Sequence, residues 1–341
     1  MRNFIIFSFV VVFLLAGLSY LGRQIFDAWE KSLESQLTAS LLGNLVNVSR
    51  QDNQHQLATL IFVGDIMLSR AVGRQMEKYN NYTFSFQLSA DFLKGADITF
   101  GNLEGPISAR GKNQGSIYSF RAHPKVVEGL TYAGFDVLSL ANNHIWDWGR
   151  EALFDTLTIL KDNGIIPVGA GENFDEANSL KVVSLDADRL KIGFLAYTNL
   201  YPKSLEAKEN QVGISRFDIE RILKLVAAIK EKKEADILVV SLHWGNEYEK
   251  NASRWQKKLA HQLIDAGADI IVGHHPHVVQ EIERYKKGII FYSLGNFVFD
   301  QNFSKETMEG LAVKVFVSKK GIESEERYRV FINRNFQSEI H

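Results

Sequence analysis

The sequence predicts an α/β fold with a polar site along one rim of a largely parallel sheet. Short apolar runs alternate with amphipathic stretches of roughly ten to fifteen residues, which is the pattern of strands joined by helices. Five of the apolar runs end abruptly in Asp, Glu, Asn or His. Because ligands of open α/β sheets gather at the carboxyl ends of the strands, we expect these polar side chains to form one site.

The composition is that of a globular protein and narrows the chemistry. The chain has 341 residues, a formal net charge of −1 and no cysteine. The absence of cysteine excludes disulfides, thiolate zinc sites and cysteine nucleophiles, so any metal must bind nitrogen and oxygen ligands. A net charge this small provides no basic field, which argues against nucleic acid as a partner.

The amino terminus carries a long apolar segment. Phe4 to Leu21 contains eighteen residues without a charge, about the minimum length of a membrane-spanning helix. We predict a signal anchor over residues 1–23 and a single-pass cell-membrane protein whose bulk is extracytoplasmic. Cleavage and secretion is the alternative, although Tyr20 and Leu21 make a poor cleavage site.

The remaining chain divides into three predicted parts. Residues 24–57 are polar with leucines at roughly helical spacing, which favours a juxtamembrane stalk. A dimerising coiled coil is the alternative, but fewer than three clean heptads are visible. The main domain is predicted over residues 58–318, and a C-terminal edge strand and tail over residues 319–341.

Strands and helices alternate through the main domain. The predicted strands are Thr59–Val63, Ile98–Phe100, Asp136–Leu140, Ile165–Val168, Lys191–Ala196, Ile237–Leu242, Ile270–Val272 and Ile289–Ser293. The predicted helices, which carry proline, Asp or Gly signals at their ends, are Pro124–Ala133, Trp148–Asp162, Asp218–Lys233 and Ala252–Ala266. Hairpins are predicted at Ser184–Ile192 and Glu283–Ile290, and late edge strands at Leu311–Ser318 and Arg327–Ile332.

The first three polar ends provide oxygen ligands. Asp65 follows the first strand and Glu104 the second, and a carboxylate at either place can bind a divalent cation. The alternatives are a helix cap for Asp65 and a plain turn for Glu104. Asn143 and His144 share one tight turn, where the amide oxygen can bind a hard metal and the imidazole can serve as ligand or acid.

The later histidines are the strongest signal. His243 ends an apolar strand, where a buried core histidine is the alternative. The segment His274-His275-Pro276-His277 places three histidines in four residues after a strand, which packing seldom requires. Residues two apart on an extended backbone point the same way, so His275 and His277 can reach one metal.

Three more residues are candidates for substrate binding. Arg121 and Arg70 can each pair with a phosphate or carboxylate group, and a surface salt bridge is the alternative for both. Asn296, in the segment SLGNF, either orients a ligand or closes a turn.

Together these motifs resemble a known family. In chain order they resemble the calcineurin-like metallophosphoesterase motifs. The forms GDIML, GNLEG, SLANNH, LHWGNEY, GHHPHVVQ and SLGNF resemble more closely the CapA family of capsule-synthesis, or poly-γ-glutamate biosynthesis, proteins. The resemblance covers roughly Leu60 to Phe299 and implies a four-layer αββα sandwich with mixed sheets.

The resemblance also implies a metal centre. One or two divalent ions (Mn, Zn, Fe or Mg) would be bound by a set of six residues, Asp65, Glu104, Asn143, His243, His275 and His277. Glu104 would bridge the metals, and His144 would be the catalytic acid. Two positions depart from the phosphoesterase pattern, because Met67 stands where those enzymes have the His of Asp-x-His and Glu104 stands where the second motif has Asp. Methionine is a soft ligand and a poor one for hard cations.

The implied partners are an anionic envelope polymer such as poly-γ-glutamate, the membrane and capsule synthase subunits. Three functions stay open. The first is a metal-dependent hydrolase or transferase in capsule synthesis, export or anchoring. The second is a non-catalytic polymer-binding or scaffold subunit of a capsule synthesis complex, and the third is a general metal-dependent phosphodiesterase.

Overall fold

A computed structural model describes residues 21–24, 29, 31–38, 40, 57–185 and 190–341. The predicted signal anchor over residues 1–23 lies outside these residues, apart from residues 21–23. Among the described residues, no helix is both long and apolar enough to cross a membrane. The chain divides into two compact units, Met1–Leu57 and Ala58–His341. In the first unit, residues 31–38 are helical, and Thr38 Oγ1 donates a hydrogen bond of 2.7 Å to the carbonyl oxygen of Glu34.

The second unit contains two large sheets and one small one. Its strands are β1 Ala58–Ile66, β2 Ile98–Leu103, β3 Val137–Ser139, β4 Ile166–Val168, β5 Ala170–Gly171, β6 Lys181–Leu185, β7 Leu190–Thr198, β8 Gly213–Ile214, β9 Ile237–His243, β10 Ile270–His274, β11 Ile282–Tyr285, β12 Gly288–Phe291, β13 Asn296–Val298, β14 Glu309–Ser318, β15 Gly321–Ile332 and β16 Ser338–Ile340. The first sheet runs β16-β15-β14-β1-β2-β3-β4, and β13 also pairs with β1; the second sheet runs β11-β12-β10-β9-β7-β6. Strands β5 and β8 pair separately.

Helices connect many of these strands. They are α1 Arg70–Lys78, α2 Ala90–Leu93, α3 Val127–Ala133, α4 Gly149–Asp162, α5 Phe174–Asn178, α6 Ile219–Glu231 and α7 Arg254–Ala266. Short 3-10 turns lie at Phe84–Phe86, Pro124–Val126, Lys203–Leu205 and Glu306–Met308. The start of α7 carries a capping box, in which Ser253 and Gln256 exchange side-chain and backbone hydrogen bonds.

Three buried cores separate four layers. The first core packs α1 to α4 against one face of the first sheet, through residues such as Ile61 and Leu157. The second core lies between the two sheets, where Phe100 stacks on Phe194 with ring centroids 5.7 Å apart. The third core packs α6 and α7 against the outer face of the second sheet. The unit is therefore a mixed α/β sandwich of helices, sheet, sheet and helices.

This arrangement is the mixed α/β sandwich that the resemblance implied, and it corrects the expectation, drawn from the strand pattern alone, of one largely parallel sheet. Each large sheet has helices on one face and the other sheet on its second face. The two predicted hairpins are confirmed, because β6 pairs antiparallel with β7 and β11 with β12. The predictions missed α1 and the short strand β13. The late strand β15 begins at Gly321, six residues before the predicted start at Arg327.

Strand register brings the polar ends of the strands together. In the first sheet, Asp65 pairs with Asn102 on one side and Asn296 on the other. In the second sheet, His243 pairs with His274. Gly64 is required next to Asp65, because a Cβ there would lie 2.0 Å from the carbonyl oxygen of Gly295. The backbone amide of Asp65 donates to that same oxygen at 2.9 Å, which fixes the turn that presents its carboxylate.

Candidate metal centre

The first sheet contributes the oxygen side of the site, defined here as Asp65, Glu104 and Asn143. Asp65 and Glu104 are 0% and 2% exposed, at the ends of β1 and β2. Asn102 lies between them, and its Nδ2 donates to Asp65 Oδ1 at 2.8 Å and lies 3.5 Å from Glu104 Oε1. The turn after β3 is shaped by Asn142, whose Oδ1 accepts from the backbone amides of His144 and Ile145.

The second sheet contributes the nitrogen side, defined here as His243, His274, His275 and His277. All four histidines are buried. The backbone amide of His275 donates to Asp65 Oδ2 at 3.1 Å, and His277 Nδ1 lies 3.4 Å from that oxygen. His274 Nδ1 lies 3.1 Å from Asp65 Oδ1, but without the geometry of a hydrogen bond. Asp65 is therefore the point at which the two sides meet.

A second meeting point involves His243. Its Nε2 lies 2.7 Å from Asn143 Oδ1 and 3.7 Å from Glu104 Oε1, while its Nδ1 lies 3.2 Å from Asn102 Nδ2. The structure thus brings all six predicted metal-binding residues into one region, in which Asn143 is partly exposed and the other five are buried, although their role as ligands stays a prediction.

Burial governs the charges of the two carboxylates. Burial raises the pKa of Asp65, but the interactions with His274 and His277 outweigh it and hold that pKa well below its usual range. Burial also raises the pKa of Glu104, and here the repulsion from Asp65 adds to the effect while His277 opposes it. The pKa of Glu104 therefore lies well above its usual range. One carboxylate is charged, and the other is costly to ionise without a cation.

The imidazoles divide in the same way. Burial lowers the pKa of His243 well below its usual value, and the neighbouring His275 adds to this effect. Burial and the charge of His277 lower the pKa of His275 to about 3. For His277 burial opposes the charged form, but Glu104 and Asp65 outweigh it and raise the pKa to about 9. Two neutral imidazoles, the form that binds metals, are therefore available near neutral pH.

Several buried atoms of the site have no hydrogen-bond partner among the described residues. They are Glu104 Oε2, His275 Nδ1 and His274 Nε2, whereas His274 Nδ1 has only its ion-pair contact with Asp65. Leaving such an atom unpaired costs about 1–3 kcal/mol. Each of two sets of ligand atoms lies within 4.8 Å, one set from Asp65, Glu104 and His243 and the other from Glu247, His275 and His277. Mixed nitrogen and oxygen donors of this kind fit a divalent cation such as Zn, Mn or Fe.

A histidine–aspartate pair lies beside the predicted ligands. His144 directly follows Asn143 and is 8% exposed, and its Nδ1 lies 2.8 Å from Asp147 Oδ2. Asp147 also accepts a hydrogen bond of 2.8 Å from the backbone amide of Phe120, whose ring lies 4.0 Å from the His144 ring. The imidazole is thus fixed in orientation by a carboxylate on one edge and an aromatic ring on its face.

The three predicted substrate-binding residues lie in different surroundings. Arg70 pairs with Asp300 at 3.1 Å, lies 5.4 Å from the centre of the Phe120 ring and is partly exposed. Asn296 is fully buried, and its Oδ1 lies 2.9 Å from His277 Nδ1, so it orients a histidine. Arg121 stacks at 3.5 Å on Trp148 and donates to the carbonyl oxygen of Arg110. Among the described residues, no hydrogen bond joins Arg121 to the six predicted ligands.

Met67 is part of the first core, between the helices and the first sheet. Its side chain is fully buried among the apolar residues that pack α1 on the first sheet. Its sulfur accepts hydrogen bonds from the backbone amide and hydroxyl of Ser69, at 3.2 and 3.1 Å. The thioether therefore packs in the core and accepts hydrogen bonds from Ser69.

Four residues of the site escaped the sequence-based predictions. Asn102, Asp147, His274 and Glu247 were not assigned roles, although each lies within three residues of a predicted site residue or in the same motif. The signal for Asp147 was its spacing, because His144 and Asp147 are three residues apart and can meet in a single turn. For Glu247 the sequence offers only an acid in a polar loop.

The chain has clear relatives. The family model described as bacterial capsule synthesis protein PGA_cap matches residues 59–301. The chain is 37% identical over 258 residues to the capsule biosynthesis protein CapA of Bacillus anthracis, covering 74% of this chain and 62% of that protein. It is 36% identical over 262 residues to the PGA biosynthesis protein CapA of Bacillus subtilis (strain 168), covering 76% and 68%.

The solved structure of NAD nucleotidase from Haemophilus influenzae is also similar, with a TM-score of 0.49 and 12% identity. That likeness covers 84% of this chain and 53% of the nucleotidase.

Proposed function

This chain belongs to the family of bacterial capsule synthesis proteins. We propose that it is a metal-dependent hydrolase or transferase that acts on an anionic envelope polymer such as poly-γ-glutamate. The polymer is taken from the names of two relatives, which are a capsule biosynthesis protein and a PGA biosynthesis protein. The chain spans less than two thirds of the length of the first of these relatives. The reaction is therefore proposed from the residues of the site, and capsule synthase subunits are proposed as partners.

One observation carries the catalytic proposal: a histidine–aspartate pair lies directly beside the candidate metal ligands. Asn143 Oδ1 lies 2.7 Å from His243, and the next residue, His144, lies 2.8 Å from Asp147. A scaffold needs a stable fold but has no use for an imidazole oriented by a carboxylate at the edge of the ligand group. General acids and bases are oriented in this way.

The side chains divide the work of such a reaction. A divalent cation bound by this group would act as a Lewis acid and activate a water molecule. Asp147 accepts a hydrogen bond from Nδ1–H of His144 and stabilises the imidazolium form, in which Nε2 also carries a proton. The water molecule that bonds to the acyl or phosphoryl centre loses a proton, and this proton balances the one that Nε2 gives up. As the bond from the acyl or phosphoryl centre to its leaving group breaks, Nε2 gives its proton to the leaving atom. Arg70 lies 5.4 Å from the centre of the Phe120 ring, which also contacts the His144 ring, and its guanidinium can bind an anionic group of the polymer.

We place the protein at the cell membrane, with the second unit outside the cytoplasm. The support for this is the uncharged run from Phe4 to Leu21, followed by a polar stretch before the α/β unit begins. Alkaline carbonate washing of membranes from the native host would test the anchor. Retention of the chain in the membrane pellet is expected, and release into the supernatant would refute it.

A scaffold role is the second candidate, and Met67 is the observation that favours it. A buried thioether that already accepts two hydrogen bonds contributes no ligand to a hard cation. In this case the centre would hold polymer or partner subunits without turnover, and the variants described next would still support capsule formation.

The decisive experiment measures bound metal and turnover together. The full-length chain in mild detergent would be analysed for metals by mass spectrometry and tested on poly-γ-glutamate and on a phosphodiester. His144→Ala should keep the metal and lose about 10²- to 10⁴-fold in turnover. The matched control is His261→Ala. His261 lies on the surface of α7 and pairs with Glu283 of β11, so this substitution should leave both bound metal and turnover unchanged. Metal without His144-dependent turnover would favour the scaffold, and preference for the phosphodiester would favour a general phosphodiesterase.

A further inference from the structure

The most exposed apolar side chains lie in two loops near the candidate metal centre. Among the described residues, the three large apolar side chains with the highest exposure are Ile117 at 91%, Phe303 at 66% and Tyr118 at 62%. The first loop lies between β2 and α3, and the second between β13 and β14. Single apolar residues are common on protein surfaces, but a group of them beside a polar site is typical of a ligand-binding groove.

Aromatic contacts connect Phe303 to the nitrogen side of the site. The rings of Phe303 and Tyr248 meet edge to face with centroids 5.2 Å apart, and the Tyr248 ring lies 6.3 Å from the His277 ring. Tyr248 is itself 42% exposed, and Gln301 Nε2 donates a hydrogen bond of 3.3 Å to its hydroxyl. An exposed aromatic surface therefore begins one ring away from a predicted metal ligand.

Arg70 connects Tyr118 to the same surface. Its guanidinium carbon lies 5.9 Å from the centre of the Tyr118 ring and 5.4 Å from the centre of the Phe120 ring. An ion pair of 3.1 Å with Asp300 holds the guanidinium against the loop that carries Phe303. The Arg70 side chain remains 35% exposed. A partly exposed cation therefore joins the two loops.

Two residues of this surface have left-handed backbone. The φ angles are 52° for Arg70 and 65° for Tyr248. Residues with a Cβ seldom adopt this conformation, and such strain is concentrated at ligand-binding sites. Neither side chain belongs to one of the three buried cores, so the strain does not serve core packing. The backbone amide of Tyr248 donates a hydrogen bond of 2.8 Å to the carbonyl oxygen of Pro276, which fixes the tyrosine beside the histidine loop.

We propose that Arg70, Tyr118, Tyr248 and Phe303 form an aromatic subsite that binds the polymer beyond the unit that reacts. The ligand is a chain of anionic amino acids, in which each unit offers an apolar methylene segment, a planar amide and a carboxylate. The methylenes and amides pack on the exposed rings, and the guanidinium of Arg70 binds a carboxylate. Because the subsite lies outside the six predicted metal ligands, it gives the protein a preference for a long chain over a single unit.

This inference rests on the proposed substrate, but it can fail separately. The full-length protein in mild detergent would be titrated calorimetrically with long poly-γ-glutamate, and turnover would be measured on that polymer and on the dipeptide γ-glutamyl-glutamate. Tyr118→Ala and Phe303→Ala should each weaken polymer binding, and raise the KM for the polymer, by about 5- to 10-fold. The kcat and the turnover of the dipeptide should not change, because the rings hold only the distant part of the chain.

The matched control is Tyr132→Ala. Tyr132 lies on α3, in the helix layer, and is 39% exposed, so its loss should leave polymer binding unchanged. All three substituted side chains are exposed, and equal melting temperatures would show that the variants fold as the unchanged protein does.

Four results would overturn the inference. If Tyr118→Ala and Phe303→Ala bind the polymer as tightly as the unchanged protein, the rings are not a subsite, and turnover that depends on His144 leaves the proposed function standing. Tighter binding of polygalacturonate than of poly-γ-glutamate would assign the rings to an anionic glycan. A changed sedimentation coefficient of the polymer-free variants would assign them to contact with a second copy of the chain. Neither binding nor turnover of poly-γ-glutamate would overturn the inference and the proposed substrate together.

Discussion

The two sides of the site are built from different chemistry. The oxygen side, from the first sheet, provides two carboxylates and an amide, whereas the nitrogen side, from the second sheet, provides four imidazoles. The sides meet at only a few contacts, among them the backbone amide of His275 with Asp65 and the ring of His243 with Asn143. Neither sheet alone holds the six predicted ligands. The group formed by Asp65, Glu104 and His243 therefore exists only while the two sheets are packed together.

The largest effect is expected from removing the charge of the oxygen side at Glu104. Glu104→Gln keeps the shape but removes the carboxylate, so turnover should fall to background and metal-induced stabilisation should vanish. That stabilisation is about 2.7 kcal/mol when the cation is present at 100 times its Kd. Thermal unfolding with and without Mn²⁺ measures it.

The same variant should not destabilise the metal-free protein. Burial raises the pKa of Glu104, which means that its charged form is unfavourable in the fold, so the neutral amide removes a cost. A clear drop in the metal-free melting temperature would show that Glu104 serves the fold rather than a cation.

Next in size is the packing that joins the two sides. Phe100 of the first sheet is fully buried and stacks on Phe194 of the second sheet at 5.7 Å. Phe100→Ala should lower the free energy of unfolding by about 3–5 kcal/mol, because it opens a cavity between the sheets. Metal affinity should fall as well, since the separation of the two sides is no longer fixed. Urea titration measures the first effect and Mn²⁺ titration the second.

The matched control is Phe154→Ala, because Phe154 on α4 is 41% exposed. If Phe100→Ala bound Mn²⁺ as tightly as the unchanged chain, the sheet interface would not set the geometry of the site.

A smaller effect is expected at Asn102, which touches both sides. Its Nδ2 lies 2.8 Å from Asp65 Oδ1 and 3.2 Å from His243 Nδ1. Asn102→Ala leaves every proposed ligand in place but removes the group that orients two of them, so metal affinity should fall about 10- to 100-fold. Calorimetric titration with Mn²⁺ checks this, and an unchanged Kd would mean that the ligands are oriented by the backbone alone.

The smallest effect is expected from a substitution at the start of α7, in the helix layer that packs on the second sheet. Ser253 caps α7, and its Oγ accepts a hydrogen bond of 3.2 Å from the backbone amide of Gln256. Ser253→Ala should cost about 1 kcal/mol of stability and leave the number of bound metal ions unchanged. Loss of metal in this variant would contradict the independence of the site from the outer helices.

The sequence identified the polar residues at the ends of the strands but not the neighbouring residues that orient or complete the site. Asp65, Glu104 and His243 could be predicted because each ends an apolar run, and the end of a buried strand is a place where a polar side chain needs a reason. Asn102 lies inside the second of these runs and was assigned no role. Glu247 could not be predicted as a site residue, because an acidic residue in a polar loop is common in sequences. Only the fold places it beside His275 and His277.

By itself, then, the sequence determined the order of most strands and helices and the residues at the strand ends, because hydrophobic periodicity and helix signals are local. Periodicity could not decide that there are two packed sheets, which only the resemblance implied, because a strand buried on both faces has the same apolar pattern whether helices or a second sheet cover it. Tertiary packing also decided which oxygen meets which nitrogen. Asp65 and His275 are 210 residues apart, and only the core between the sheets brings their atoms to 3.1 Å.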